Sequence, residues 1–260
     1  MITILVLIYL FLIFPSLRRH SDRALLGGMR IAHRGYHSMK ANCPENSLNA
    51  FSEAIEKGYP IENDIHITAD GEVVVFHDDT LLRMCGEDKI IEELTLKEIK
   101  EYTLKDSDQK IPTLKECLDL VDGKVPLLIE FKAFSFENAK RLCLAADKIL
   151  SEYKGKYFIQ SFYPPVLRWY KKNRPEILRG QLSQKTGDGS VSQILLGHMI
   201  FNFLARPDFV SYNHKDARFF PRRINTLLGA LPVCWTLETK EDYQKSKKYF
   251  KAFIFEKFEA

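Results

Sequence analysis

The chain has 260 residues, 45% of them apolar, with 38 basic against 34 acidic side chains and a net charge of +4. That length is long for one β-sandwich and suits one barrel of alternating strands and helices. The charge is small and dispersed and no basic run is interleaved with aromatics, which sets polynucleotide binding aside. The five cysteines are widely spaced, with no Cys-x-x-Cys pair, so neither a zinc knuckle nor a disulfide framework is indicated. Reduced thiols in a cytoplasmic compartment are the simplest reading.

The amino terminus differs in kind from the rest. From Ile2 to Phe14 every residue but Thr3 is apolar, and Pro15-Ser16-Leu17 leads into Arg18-Arg19-His20. A helix over Met1 to Leu17 spans about 25 Å, marginal against a hydrocarbon core of about 30 Å. The basic residues follow the apolar run and no small-residue cleavage site is evident, which argues against a secretory signal. Residues 1–25 are therefore expected to be an uncleaved membrane anchor with its basic flank. Arg18, Arg19 and Arg23 favour a following domain on the cytoplasmic side. A buried amino-terminal helix and a cleaved signal peptide are the alternatives.

The globular domain, 26–260, opens with Arg30-Ile31-Ala32-His33-Arg34-Gly35, which reads as a short strand ending in polar groups and a glycine. A helix over 45–57 follows, capped by Ser47, with Leu48, Phe51, Ala54 and Ile55 on one face and Gly58 closing it. Next come two apolar-rich runs, from Ile61 and from Val73, joined at Asp70-Gly71, the signal for a two-residue hairpin turn. With Ala69 and Glu72 flanking the turn, Asp64 falls opposite His77 on a shared face, and Glu62 points the same way. Grouped carboxylates repel unless a cation or proton sits among them, so this hairpin reads as a metal-assisted acid–base site. The bland alternative is the solvated face of an ordinary hairpin.

Two helices capped by Thr95 and Thr113 follow, over 96–102 and 114–121. Pro126 to Lys132 is a buried-type strand with Glu130 and Lys132 at its end. Thereafter helices are expected at 136–153, 165–173, 191–204 and 239–249. They alternate with strands at 157–161, 177–182, 208–212, 231–236 and 252–255. That alternation predicts a parallel sheet and, at this length, a (β/α)₈ TIM barrel. Its one irregularity is the antiparallel hairpin after the second strand. In such barrels the chemistry sits at the carboxyl ends of the strands, where His33, Arg34, Glu130 and Lys132 all fall.

These residues carry a resemblance. His33-Arg34-Gly35, Pro44-Glu45-Asn46-Ser47, Glu62-x-Asp64, Thr68-x-Asp70-Gly71, His77-Asp78, Ile111-Pro112-Thr113-Leu114 and Glu130-x-Lys132 stand in the order and at the distances of the glycerophosphodiester phosphodiesterase family, over roughly residues 30 to 132. Beyond them the match thins to Ser161-Phe162 and Trp235-Thr236. The resemblance implies a divalent cation, Ca²⁺ or Mg²⁺, on Glu62, Asp64 and Glu130, all hard oxygen donors. It implies His33 and His77 as paired general acid and base, Arg34 and Lys132 near the phosphate, and Glu45 and Asn46 in supporting positions. The implied reaction releases an alcohol and glycerol 3-phosphate. An imidazole's ordinary pKa of about 6.5 suits that proton traffic near neutral pH.

The chain departs from the family where the last strand often ends in Thr-Asp-x-Pro. Here it reads Ile254-Phe255-Glu256-Lys257-Phe258, without the proline, and Glu238 replaces an asparagine after Trp235-Thr236. Both changes are expected on the wall that receives the alcohol or acyl portion. There Phe162, Tyr163 and Trp235 are candidates to line an apolar pocket for a lipid-like group. With a membrane anchor beside it, lysophospholipase D activity on a lysophospholipid is the second reading. Two others remain: a related phospholipase cleaving a choline or inositol head group, and an inactive phospholipid-binding module.

Overall fold

A computed structural model describes residues 1–18, 20–37 and 41–260. The strands are β1 (Arg30–Ala32), β2 (Ile61–Ile67), β3 (Val73–Val75), β4 (Leu127–Phe131), β5 (Tyr157–Ser161), β6 (Arg179–Ser183), β7 (Phe209–Asn213), β8 (Leu231–Leu237) and β9 (Ala252–Phe255). Their order in the sheet is β1-β9-β8-β7-β6-β5-β4-β2-β3, and β1 also pairs with β2. Eight parallel strands in that order, with helices between them, define the (β/α)₈ TIM-barrel class. By density of contacts the chain divides into two units. One comprises Met1–Arg30, Ile159–Phe255 and Ala260, and the other Ile31–Phe158 and Glu256–Glu259.

In the second unit β2 is buried at every position, and its alternation puts Glu62, Asp64 and His66 on one face and Ile61, Ile65 and Ile67 on the other. β2 runs parallel to β4 with Asp64 beside Glu130, and its last three residues pair antiparallel with β3. The expected hairpin is therefore present, but its register is one residue from expectation. Ile65 lies opposite Val75, and Thr68 N donates to Glu72 O at 2.9 Å. The loop is three residues, Ala69, Asp70 and Gly71, with Gly71 at φ +90°. Asp70 turns out of the ladder because its carboxylate accepts from Thr68 Oγ1 (2.6 Å) and from Leu96 N (3.0 Å). Asp64 consequently meets Phe76, whose N donates to Asp64 O at 3.0 Å, and His77 lies beyond the end of β3.

The flanking helices form where capping chemistry says they should. Ser47 Oγ accepts from Ala50 N and starts the helix Leu48–Glu56, which buries Ala50, Phe51 and Ala54. Thr95 and Thr113 each close a capping box, with Glu98 and Glu116, on the helices Leu96–Ile99 and Leu114–Val121. Between β3 and β4 a small core gathers Val74, Phe76, Leu81, Met84, Ile91, Ile99, Leu104 and Ile111. It stabilises the long excursion that replaces a simple crossover.

In the first unit, the helix Phe220–Leu227 escapes sequence reading because its buried positions are Pro221, Arg222 and Asn225 rather than an apolar stripe. Arg222 donates to Ala217 O, and Asn225 Nδ2 to Ile13 O at 2.6 Å.

The amino-terminal helix corrects an expectation. It covers Ile2–Ile13, 12 residues, or about 18 Å against a hydrocarbon core of about 30 Å. Among the described residues no helix is long and apolar enough to cross a membrane. Pro15 is the cause, since the residue before a proline is driven to extended geometry, and Phe14 stands at φ −62°, ψ 128°. The freed carbonyls are taken up locally: Arg206 Nη1 donates to Phe11 O (2.6 Å) and Phe14 O (2.9 Å). Ile13 is buried, whereas Ile2, Ile4, Leu5, Val6, Leu7, Ile8 and Phe11 are exposed. Arg18 and Arg23 donate to the carbonyls of Pro175 and of Asp208 and Gly229, and Arg19 lies outside the described residues.

Candidate active site

Three buried carboxylates, Glu62, Asp64 and Glu130, come within 4.8 Å of one another. Alternation along β2 supplies the first two, and the parallel pairing of Asp64 with Glu130 brings the third. Lys132, just past β4, places Nζ 2.6 Å from Glu130 Oε1 and 3.0 Å from Asp64 Oδ1. Asn46 Nδ2 donates to Asp64 Oδ2 at 2.9 Å. Arg34 Nε stands 3.5 Å from the same oxygen, and Arg34 N donates to Glu62 Oε2 at 3.2 Å.

The turn after β1 is strained to make these contacts. Arg34 has φ 53° and Gly35 φ 84°. A Cβ at Gly35 would lie 2.8 Å from Ala50 backbone and side-chain carbon, so only glycine fits. A non-glycine residue in the left-handed region costs about 1–3 kcal/mol. Here Asn46 N, donating to Arg34 O at 2.9 Å, holds it in place.

Each candidate catalytic imidazole has a carboxylate on Nδ1. His33 Nδ1 is 2.7 Å from Glu256 Oε2, and His77 Nδ1 is 2.6 Å from Asp78 Oδ1. An ionised carboxylate only accepts, so each Nδ1 is the donor and each Nε2 is left to take or give a proton. Asp78 is gripped by Arg83, through Nε at 2.6 Å and Nη2 at 3.0 Å. Arg83 also clamps Glu45, which in turn accepts from Arg34 Nη1 at 2.6 Å. A continuous chain of ion pairs thus runs from Arg34 through Glu45, Arg83 and Asp78 to His77. His77, Asp78, Arg83 and Lys132 line an open cleft.

Sequence reading missed Arg83 and misplaced Glu256. Arg83 belongs to no motif and sits on a four-residue helix, Leu82–Cys85. Glu256, expected on the wall for the alcohol, instead backs His33. The only signal for it was an acidic residue directly after the last strand. Phe162 and Trp235 meet each other edge to face, with ring centroids 5.7 Å apart, and Trp235 Nε1 donates to Ser211 O at 3.0 Å. They belong to the other unit.

The charges are unbalanced in a way that suits a cation. Burial, then repulsion from Asp64 and Glu130, pushes the Glu62 carboxyl well above the usual range. Burial and Asp64 also raise Glu130, although Lys132 opposes them. Burial alone would raise Asp64, but Lys132, His77, Arg34 and His33 outweigh it and hold that group well below the usual range. Arg34 and Lys132 therefore do not neutralise all three acids, and a proton or a further cation must. Hard, clustered oxygen donors fit a divalent ion of the calcium or magnesium type. At His33 burial lowers the pKa, with Glu256 acting in the opposite sense.

Clustered acids flanked by Arg34 and Lys132 at the strand ends of a barrel suit a phosphodiesterase. Residues 33–250 match the model of the glycerophosphoryl diester phosphodiesterase family, and the chain belongs to that family. The glycerophosphodiester phosphodiesterase of Caldanaerobacter subterraneus subsp. tengcongensis is 34% identical over 233 residues, covering 84% of this chain and 89% of its own. A human lysophospholipase D is 28% identical over 185 residues, covering 65% of this chain and 56% of its own. Among solved structures, a phosphodiesterase from Oleispira antarctica in complex with the product sn-glycerol-3-phosphate superposes with a TM-score of 0.72. It is 23% identical, covers 89% of this chain and 94% of its own, and shows likeness of fold.

Proposed function

We propose that the protein hydrolyses glycerophosphodiesters to an alcohol and glycerol 3-phosphate by two-histidine acid–base catalysis. The observation that carries this is the pair of imidazoles, each carboxylate-backed at Nδ1, in one unit with three clustered acids flanked by Arg34 and Lys132. Glu62, Asp64 and Glu130 would hold a Ca²⁺ or Mg²⁺ ion, which when bound neutralises charge and orients phosphoryl oxygens. Arg34 offers a planar pair of donors to the phosphodiester and Lys132 a compact point charge. One imidazole accepts the nucleophile's proton at Nε2 while the other delivers a proton from Nε2 to the leaving oxygen. The nucleophile is water overall, or transiently a neighbouring glycerol hydroxyl. Glu45 and Asn46 hold Arg34 and Asp64 in position.

The test is a product assay with glycerophosphocholine, glycerophosphoethanolamine, glycerophosphoinositol and lysophospholipids, with and without EDTA. Release of glycerol 3-phosphate that stops on chelation and returns with Ca²⁺ or Mg²⁺ is expected. A cyclic phosphate that accumulates in place of glycerol 3-phosphate, a phosphorylated head group released with glycerol, or turnover in excess EDTA would overturn it. Loss of activity in His33→Ala and in His77→Ala, each still folded, is expected from the acid–base assignment.

Lysophospholipase D is the second reading, favoured by the exposed apolar helix Ile2–Ile13 and the human relative. In it the helix rests in a lipid surface and Phe162 and Trp235 meet the acyl portion. Sedimentation with phospholipid vesicles, lost on deleting residues 1–14 while soluble diester turnover persists, tests the lipid contact. Equal sedimentation of both forms counts against it.

A further inference from the structure

Glu256 serves two imidazoles, and the hydrolytic reading uses only one of them. His37 Nε2 stands 3.4 Å from the same Oε2 that accepts from His33 Nδ1 at 2.7 Å. The ligand atoms of His33, His37 and Glu256 all lie within 4.8 Å of one another. His37 is 8% exposed, so its imidazole was brought out of water to this carboxylate rather than left on the surface. The turn that places Arg34 also places His37. Gly35 at φ 84° reverses the chain, and Tyr36 N, donating to Ala50 O at 2.9 Å, pins the return.

We propose that His33, His37 and Glu256 form a second cation site that takes zinc or a similar borderline divalent ion, and that filling it silences His33. The proposal rests on the acid–base reading of His33 given above. Two imidazoles and one carboxylate are a donor set for zinc, whereas Glu62, Asp64 and Glu130 offer hard oxygen alone. With zinc bonds of about 2.0–2.1 Å, neighbouring donors around a tetrahedral ion stand roughly 3.4 Å apart. Of the spacings found here, 3.4 Å already matches and 2.7 Å needs a small opening of the His33–Glu256 pair, while all three donor atoms lie within 4.8 Å of one another. Lys257 Nζ lies on the other carboxylate oxygen, Oε1, at 3.1 Å, which leaves Oε2 to the imidazoles.

The consequence for catalysis follows from imidazole chemistry. Zinc on Nδ1 displaces the proton held between Nδ1 and Glu256. In neutral His33 that proton moves to Nε2, and in the imidazolium one proton is released to solvent. Either way Nε2 carries a hydrogen and has no lone pair to accept another, so His33 cannot exchange a proton with nucleophile or leaving group.

Full-length protein held in millimolar MgCl₂ is titrated with micromolar ZnCl₂, with calorimetry and diester turnover read in parallel. Wild type is expected to take up one zinc ion and to lose turnover over the same range. His37→Ala and the near-isosteric His37→Gln should keep basal turnover within about twofold and bind zinc on the order of tenfold or more weakly, with inhibition displaced to match. Asp64→Asn, inactive through the first site, should still take up zinc as wild type does. Equal zinc affinity in wild type and both His37 variants would overturn the site, as would zinc uptake lost in Asp64→Asn but kept in His37→Gln. Calorimetry reads zinc even in a protein that turns nothing over. Zinc bound at these residues by a protein that hydrolyses no diester even before zinc is added would therefore sink the acid–base reading and leave the site standing.

Discussion

Glu256 Oε2 lies 2.7 Å from His33 Nδ1, so the residue directly after β9 meets the first candidate catalytic histidine. Burial lowers the His33 pKa, while the Glu256 hydrogen bond and charge raise it, and Arg34 adds to the lowering. Removing the carboxylate must lower it further. Glu256→Gln is expected to reduce kcat on the order of 10- to 100-fold with little change in KM, because the imidazole loses its orienting partner. The limb of kcat/KM against pH that His33 governs, the acid one if it is the base and the basic one if it is the acid, should move to lower pH. A limb that stays put, with kcat intact, would reduce Glu256 to a structural tether.

The raised carboxyl of Glu62 links metal binding to pH. Its folded pKa lies above the unfolded value, so the metal-free fold binds more protons than the unfolded chain and loses stability as pH rises above the ordinary glutamate range. A bound cation replaces that proton. The gain in Tm on adding Mg²⁺ or Ca²⁺ to EDTA-treated protein should therefore be larger at pH 8 than at pH 5. An equal gain at both would show that Glu62 does not exchange its proton for the ion.

Arg83 ties Glu45 to Asp78, and through them Arg34 to His77. Arg83→Lys keeps the charge but cannot grip two carboxylates in a planar fork. It is expected to lower kcat about tenfold, with a smaller effect on Tm than Arg83→Ala, the loosened partners being orienters of reacting groups. Kinetics indistinguishable from wild type in both variants would mean that Asp78 and Glu45 are held well enough by other contacts.

Gly35→Ala is expected to destabilise by about 2 kcal/mol or more, since the added Cβ meets the Ala50 backbone and the backbone angle disfavours any side chain. Urea denaturation measures it. A loss below about 0.5 kcal/mol would show that the turn yields freely.

The sequence made the alternation of strands and helices legible because apolar periodicity and capping residues act locally. Ser47, Thr95 and Thr113 each cap the helix their chemistry implies. The metal-type carboxylates were legible for a similar reason: the period of a strand puts Glu62 and Asp64 on one face whatever lies beyond. The register of the hairpin was not, since it depended on Asp70 turning aside to cap a helix 26 residues on. Nor was the helix Phe220–Leu227, whose buried arginine and asparagine invert the usual pattern. The amino-terminal helix is shorter than its apolar composition implies because Pro15 imposes a stop. Arg83 and Glu256 act through partners distant in sequence, and no local spacing announces such pairs.

The segment Glu256–Glu259 belongs to the unit that holds residues 31–158. On a ribosome Glu62, Asp64, Glu130, His33 and His77 all emerge well before Glu256, whose carboxylate meets His33 Nδ1. Between the making of residue 132 and that of residue 256 the chain holds these groups without the carboxylate that meets His33 Nδ1. Assembly order itself thus completes the His33–Glu256 pair only once the residues of β9 have been made.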